Sequence, residues 1–487
     1  MHGVADNGPE TAEFATHLSA LGQRLDAQLS GDWPDAYERV DAWTSALSGP
    51  LPEQGAGTEA TIRDLLDHLV PNGMRMSTPY FWGWITSGPT TVPMVAAAAG
   101  MIASPQRGSM TAWNLVEEQS LAWLAQLCGL PAHFKGVYSS GGSTANLVAL
   151  GAARQWAYEQ VGIDPAVDGV AGASTPRAVI YSSEQVHHTI NRSAAVLGLG
   201  RSAMRIVSVA DDLTLDVSAL RKQLAADVAA GFLPVAVVGI AGSTDTGVID
   251  PLADIADVAA EFGAWFHVDG AYGLPGILDE RVAARYDGLE RADSAIVDPH
   301  KWLNAPVGVA ATFVRDRGLL HRAFTQEPAA YLEGAMATDG VQVSLDAMGV
   351  PYADLGVELS ASPRGAQVWA ILKELGREGV RARVVADDDL ARLVEQRAAD
   401  HPRLEVLSPA VLSICCFRYV GADGTGGDDL NRQILRRLAR ETPFIVSSTV
   451  VGGAFALRPC FINARTLPVH VEDFVATVIR LGDELSR

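Results

Sequence analysis

Apolar residues recur along this chain in two rhythms. Up to about residue 88 the rhythm is helical. In TIRDLLDHLV, Ile62, Leu65, Leu66 and Leu69 share one face, and Pro71-Asn72-Gly73 predicts its end. From about residue 110 short apolar runs alternate with helical stretches. Asn114 and Glu117 have the spacing of a capping pair ahead of an apolar face of Val116, Leu121, Leu124 and Leu127. RAVIYSS, RIVSVA, PVAVVGIA, AWFHVD, SAIVD and VGVAATFV read as buried strands, separated by helices such as VSALRKQLAADVAA and PLADIADVAAEFG. This alternation predicts an α/β architecture, a mostly parallel central sheet with both faces covered. In such sheets ligands sit beyond the carboxyl ends of the strands. After about residue 365 a smaller α+β unit is expected: QVWAILKELGREG as a helix ending at glycine, LSICCFRYV and ALRPCFIN as strands, and VEDFVATVIRLGDEL as a last helix. The expected division is 1–88 helical, 89–365 large domain and 366–487 small domain. Within it, Glu333 to Ser362 reads as a mobile loop.

Composition narrows the function. A chain of 487 residues is long enough for two or three cooperating domains. A formal net charge of −20 repels phosphate backbones and anionic lipid, so no nucleic-acid or membrane partner is expected. The opening MHGVADNGPETAEF has no positive region and no apolar core, so no secretory signal is expected there. Cys128, Cys415, Cys416 and Cys460 have no metal-ligand spacing and read as reduced core thiols, which points to the cytoplasm and to no metal.

Four short stretches carry the chemistry. Tyr138-Ser139-Ser140-Gly141-Gly142-Ser143-Thr144-Ala145-Asn146 opens a helical run, where glycines admit a ligand and helix amides bind phosphate. Tyr181-Ser182-Ser183-Glu184-Gln185-Val186-His187-His188 places an imidazole at a strand end, either over a flat ring or in a structural role. His267-Val268-Asp269-Gly270-Ala271-Tyr272-Gly273 ends a strand on a carboxylate, which would either cap the turn or take a cationic partner such as a protonated pyridine. Val297-Asp298-Pro299-His300-Lys301-Trp302-Leu303-Asn304 puts a lysine between two apolar strands, a position suited to forming an imine with a carbonyl cofactor. A dinucleotide-binding reading explains the glycines but leaves Lys301 and Asp269 without roles. Pro79-Tyr80-Phe81-Trp82-Gly83-Trp84 reads either as packing or as a pocket wall.

Through YSSEQVHHTI, STDTGVIDPL, HVDGAYG and DPHKWLN, the chain from about residue 60 to its end resembles the group II decarboxylases that use pyridoxal 5′-phosphate (PLP). The resemblance implies the aspartate-aminotransferase-like PLP-dependent transferase fold (fold type I) and a homodimer. The N-terminal segment would wrap the partner, and the active sites would lie at the interface. It implies Lys301 as the Schiff-base lysine, Asp269 as partner of the pyridine nitrogen and His187 stacked on the ring. Gly142 and Ser143 would hold the phosphate with His300 beside it, and Thr244 would lie at the cofactor's hydroxyl side. The expected reaction is decarboxylation of an L-amino acid to its amine, with an aromatic substrate favoured and Phe81, Trp82 and Trp84 as its pocket wall. Arg458 would instead suit an acidic substrate, or form an ion pair at a surface or interface. After carbon dioxide leaves, a protein acid must protonate the remaining carbon. Tyr352 is the expected acid, although one alignment puts Ala347 in its place, and His187 is the alternative. Relatives without that tyrosine can divert to an aldehyde with oxygen. An aldehyde synthase or other carbon–carbon lyase is therefore a second reading, and a PLP-fold binding protein without turnover a third.

Overall fold

The computed structural model describes residues 11–30, 40–103, 112–172, 174–325, 352–421 and 427–487. Ala347 and most of the Glu333–Ser362 loop lie outside the described residues. The chain forms two compact units, Met1–Phe81 and Trp82–Arg487.

The first unit is helical over Thr11–Ser30, Val40–Leu47 and Thr58–Asp64. The expected stripe does not run through one regular helix: Leu65–Leu69 form a wider π-type turn and Val70–Asn72 a 3₁₀ turn before Gly73. Leu65 and Leu69 are exposed, and Arg24 pairs with Asp67.

The second unit opens with α1 (Thr91–Ala103) and α2 (Ala112–Leu127). Asn114 and Glu117 are not the cap of α2 but buried positions inside it. Then come β1 (Lys135–Ser139), α3 (Gly142–Glu159), β2 (Ala178–Ser183), α4 (His188–Val196) and β3 (Met204–Val207). They are followed by α5 (Val217–Ala229), β4 (Leu233–Ile240), α6 (Leu252–Glu261), β5 (Trp265–Asp269), β6 (Ser294–Val297), β7 (Ala310–Val314) and α7 (Arg317–Phe324). Among the described residues these strands make a seven-stranded sheet in the order β1-β7-β6-β5-β4-β2-β3. The pairs from β6 across to β3 are parallel, and β7 alone runs against its neighbours β6 and β1.

That topology positions the site. Because β1 and β6 both run antiparallel to β7, β1 is parallel to β6. The carboxyl ends of β1, β2, β4, β5 and β6 therefore share one edge. Ile240 pairs with Asp269, and Asp269 with Ile296, so the ends of the central strands are level. β4, β5 and β6 are almost wholly buried, as their unbroken apolar runs require of strands covered on both faces. Beneath the edge, Gly242 (φ +97°) and Gly273 lie back to back. A Cβ on Gly273 would fall 2.2 Å from the Ala241 carbonyl oxygen, so only glycine permits this approach.

The chain continues through α8 (Arg364–Ala399), β8 (Leu404–Ser408), β9 (Cys416–Tyr419), α9 (Asp428–Glu441), β10 (Ile445–Val451), β11 (Ala454–Arg458) and α10 (Pro468–Leu485). The helix expected to stop at a glycine breaks at Gly376 (φ 62°) and then continues. Val380, Val384, Leu390 and Val394 supply a second buried face that extends it to Ala399. Strands β10-β11-β9-β8 pair antiparallel in that order. All four cysteines are buried and unpaired. Among the described residues no helix is long and apolar enough to cross a membrane.

Candidate active site

A cavity of about 390 Å³ opens at the carboxyl edge of the large sheet, lined entirely by residues of the second unit. Each strand end delivers part of it. The turn after β1 supplies Ser140 to Thr144, the loop after β2 supplies Gln185 and His187, and Thr244 follows β4. β5 ends on Asp269, and the turn after β6 carries Asp298, His300 and Lys301. Gly142, Ser143, His187, Thr244, Asp269, His300 and Lys301 thus meet at one cavity. His188 is exposed and does not line it.

Lys301 sits in a tight turn: its amide donates to the Asp298 carbonyl (2.9 Å), and its Nζ lies 3.0 Å from Asp298 Oδ2. The His300 ring donates from Nδ1 to the Val309 carbonyl (2.6 Å), which leaves Nε2 without the proton when the ring is neutral. His187 Nδ1 lies 2.9 Å from Thr189 Oγ1, and burial holds this histidine below its ordinary range, against the pull of Asp269. Asp269 takes one donor on each oxygen: the Ala271 amide at Oδ1 (3.2 Å) and Asn146 Nδ2 at Oδ2 (3.0 Å). It caps its turn and borders the cavity at once.

The cavity's residues fit pyridoxal 5′-phosphate. α3 begins at Gly142, and the amides of Thr144 and Ala145 turn back to Gly141, so the helix start faces the cavity through Gly142 and Ser143. A Cβ on Gly142 would lie 2.6 Å from Asp298 Oδ2, so the cradle closes if that residue is anything larger. Asp298 Oδ1 and Gln185 Oε1 are buried without a hydrogen-bond partner among the described residues, on two residues that line the cavity. The residues offer amides and hydroxyls for a phosphate, a carboxylate for a ring cation and an amine for a carbonyl.

Sequence reasoning left Asn146 and Asp298 without roles, although both stand inside quoted motifs. The available signals were an amide one helical turn after Gly142, just ahead of the apolar run LVALGAA, and a carboxylate three residues before Lys301.

Tyr352, Trp82 and Trp84, the expected proton donor and two residues of the expected substrate wall, do not line this cavity. Tyr352 is 1% exposed, and its hydroxyl donates to Glu118, which also pairs with Arg317 at 2.8 Å. Burial first, and Glu118 second, push its pKa far up, so the phenol keeps its proton there. It does not line the cavity. Trp82 is core: its indole donates to Thr466 Oγ1 (2.9 Å) and packs among Phe444, Phe461 and Phe474. Phe81 is buried at the end of the first unit, with its amide on the Thr78 carbonyl. Trp84 is 54% exposed with φ +53° and does not line the cavity. Among the described residues Arg458 makes no ion pair. It is buried and donates to the Thr244 and Trp84 carbonyls (2.7 Å each), tying β11 to the loop that carries Thr244.

Residues 52–420 match the family model described as the pyridoxal-dependent decarboxylase conserved domain. The aromatic-L-amino-acid decarboxylase of Bacillus atrophaeus is 28% identical over 455 residues, 92% of this chain and 90% of that protein. Tryptophan decarboxylase 1 of Oryza sativa subsp. japonica is 30% identical over 437 residues, 85% of this chain and 82% of that protein. The crystal structure of Oryza sativa TDC with PLP and tryptamine superposes with a TM-score of 0.86 at 25% identity, covering all of both chains.

Proposed function

The chain belongs to the pyridoxal-dependent decarboxylase family, and from that premise we propose that it converts an aromatic L-amino acid to its amine and carbon dioxide. The observation that carries this reading is the meeting of Lys301, Asp269, His187 and the α3 N-terminus at one cavity. When bound, the cofactor supplies a carbonyl for covalent linkage to amines and a ring that accepts the electrons carbon dioxide leaves behind.

The protein's own groups do the rest. Gly142 and Ser143 would hold the phosphate at the helix N-terminus, with His300 nearby on the cavity wall. Asp269 would pair with the ring nitrogen, His187 would cover the ring and Thr244 would lie at its hydroxyl side. Lys301 Nζ, held 3.0 Å from Asp298, has a carboxylate at hand to receive or return a proton as it becomes a nucleophile. Similarity to the aromatic-L-amino-acid and tryptophan decarboxylases supports the aromatic substrate. Exposed Val95 and Ile102 on α1, Leu115 on α2 and Val307 at the cavity support a homodimer with the sites at its interface, and four buried cysteines without a disulfide suit a cytoplasmic setting.

The second reading, an aldehyde synthase, draws on one observation: Tyr352 is bonded to Glu118 instead of reaching the cavity. Incubating the PLP-loaded enzyme with single L-amino acids separates the readings. Carbon dioxide and amine from an aromatic substrate, without ammonia, supports the decarboxylase. Carbon dioxide together with ammonia and hydrogen peroxide supports the aldehyde branch. Turnover confined to non-aromatic amino acids would refute the substrate proposed.

A further inference from the structure

Behind Asp269 runs an unbroken row of buried polar side chains. Trp265 Nε1 donates to Ser294 Oγ (2.7 Å), and Ser294 Oγ meets His267 Nδ1 (2.8 Å). His267 Nε2 meets Asn146 Oδ1 (2.9 Å), and Asn146 Nδ2 donates to Asp269 Oδ2 (3.0 Å). Ser294, His267 and Asn146 are all buried. Polar rows of this kind are stable in a core only when every member is satisfied.

The polarity of the row follows from its ends. Indole N–H can only donate. Asn146 must turn its NH₂ toward the carboxylate, since its oxygen would face another acceptor there. Asn146 Oδ1 therefore faces His267, whose Nε2 must carry hydrogen. Burial pushes His267 down to about 4, so the ring is neutral at neutral pH. Its Nδ1 is then bare and takes the Ser294 hydroxyl proton. Every hydrogen in the row points toward Asp269, an alignment in which each bond strengthens the next. A side branch leaves the same amide: Asn146 Nδ2 also reaches Thr189 Oγ1 (3.4 Å), whose hydroxyl meets His187 Nδ1 (2.9 Å). Thr189 Oγ1, accepting from the amide, has its own hydrogen available to donate to His187 Nδ1, the arrangement in which neutral His187 carries its hydrogen on Nε2.

We propose that Asn146 is the positioning residue for the cofactor ring. Its carboxamide, aligned by Trp265, Ser294 and His267, keeps Asp269 a pure acceptor toward the ring nitrogen and, through Thr189, sets the tautomer of His187. The inference rests on the roles given to Asp269 and His187 under the proposed function, and it adds a device that makes those roles independent of solvent.

The test uses holoenzyme loaded with PLP labelled with nitrogen-15 in the ring, and reads the ring-nitrogen NMR signal against pH together with the cofactor dissociation constant. In the parent the ring nitrogen stays protonated through neutral pH. Asn146→Leu removes the donors while keeping the branching of the side chain. It should let that nitrogen titrate within the neutral range and weaken cofactor binding about tenfold, as loss of a hydrogen bond to a charged group does. His267→Leu should move both readouts the same way by less, and His267→Gln, which keeps an N–H for Asn146, should restore them. A merely structural role would lower the melting temperature and leave the ring nitrogen unmoved. Parent-like signal and affinity in Asn146→Leu would overturn the inference. If that variant does not fold, the His267→Leu and His267→Gln pair decides on the same terms. Parent enzyme that takes up cofactor while the variants match it refutes this inference alone; a parent that takes up none refutes the proposed function with it.

Discussion

The second unit contains two groups of buried carboxylates, and their surroundings treat them in opposite ways. Asp269 borders the cavity and receives an N–H donor on each oxygen. On α8, Asp387 and Asp388 face the core. Asp387 accepts from Trp302 Nε1 (2.8 Å), and burial pushes it up to about 8. No donor of the described residues reaches either oxygen of Asp388, which burial and then neighbouring Asp279 push well above the carboxylate range. Burial works against Asp279 too, but Arg281 holds it well below that range, so Asp388 keeps the proton this pair shares. The two groups are close in the packing sequence: Trp302 follows Lys301 and stacks on Tyr272, a residue of the cavity wall (centroids 5.1 Å). The carboxylate that faces a ligand is supplied with donors. Asp387 and Asp388, which only pack, keep protons.

Removing the cavity carboxylate should have the largest effect. Asp269→Ala leaves the aligned row without an acceptor and the ring without its counter-charge, so kcat should fall by about 100-fold or more at saturating cofactor. Near-parent kcat would erase the distinction between the two groups. Gly142→Ala is next. Its methyl would sit 2.6 Å from Asp298 Oδ2, forcing that carboxylate off Lys301 and crowding the phosphate cradle. An increase of about tenfold in the cofactor dissociation constant is expected from loss of that charge-assisted contact.

The packing carboxylates respond with the opposite sign. The folded-state value of Asp387, about 8, lies above its ordinary 3.8. Its contribution is therefore fully present below pH about 4 and is lost as pH rises toward 8. Asp387→Asn still accepts from Trp302 and does not titrate. It should melt higher than the parent, by an advantage that grows between those limits and then levels off, reaching about 2 °C or more. A melting difference independent of pH would mean that Asp387 is not the titrating group. The smallest effect belongs to Tyr352→Phe. This removes one hydrogen bond to Glu118 and should lower stability by about 1 kcal/mol while kcat stays within about twofold of the parent. A large fall in kcat would return Tyr352 to the reaction.

How far the sequence could be read depended on the scale of the signal. Lys301, Asp269, His187 and Gly142 each stand in a short motif at the end of an apolar run, so strand order alone brings them to one edge. The strands that escaped, β1, β8 and β10, are short or mixed in character: KGVYS begins on a charge, LEVLS carries a glutamate, and IVSSTVV has polar residues at its centre. Asn146 was hidden because its significance lies in residues 121 and 123 positions away, and no local pattern reports such a pair. Trp82 shows the converse. An aromatic cluster has the same appearance in sequence whether it lines a pocket or fills a core. Here Phe444, Phe461 and Phe474, all distant in the chain, decide for the core. The position of Tyr352 depended on a gap-sensitive register, while its partners Glu118 and Arg317 lie on separate helices.

The central claim is that Lys301 carries the cofactor. Borohydride reduction of the PLP-loaded enzyme, followed by peptide mass spectrometry, tests it directly. The account expects the visible absorption band to vanish and a pyridoxyl group to be fixed on Lys301, with neither label nor turnover in Lys301→Ala. A label on another lysine, or a Lys301→Ala enzyme that still forms the reducible linkage, would contradict it.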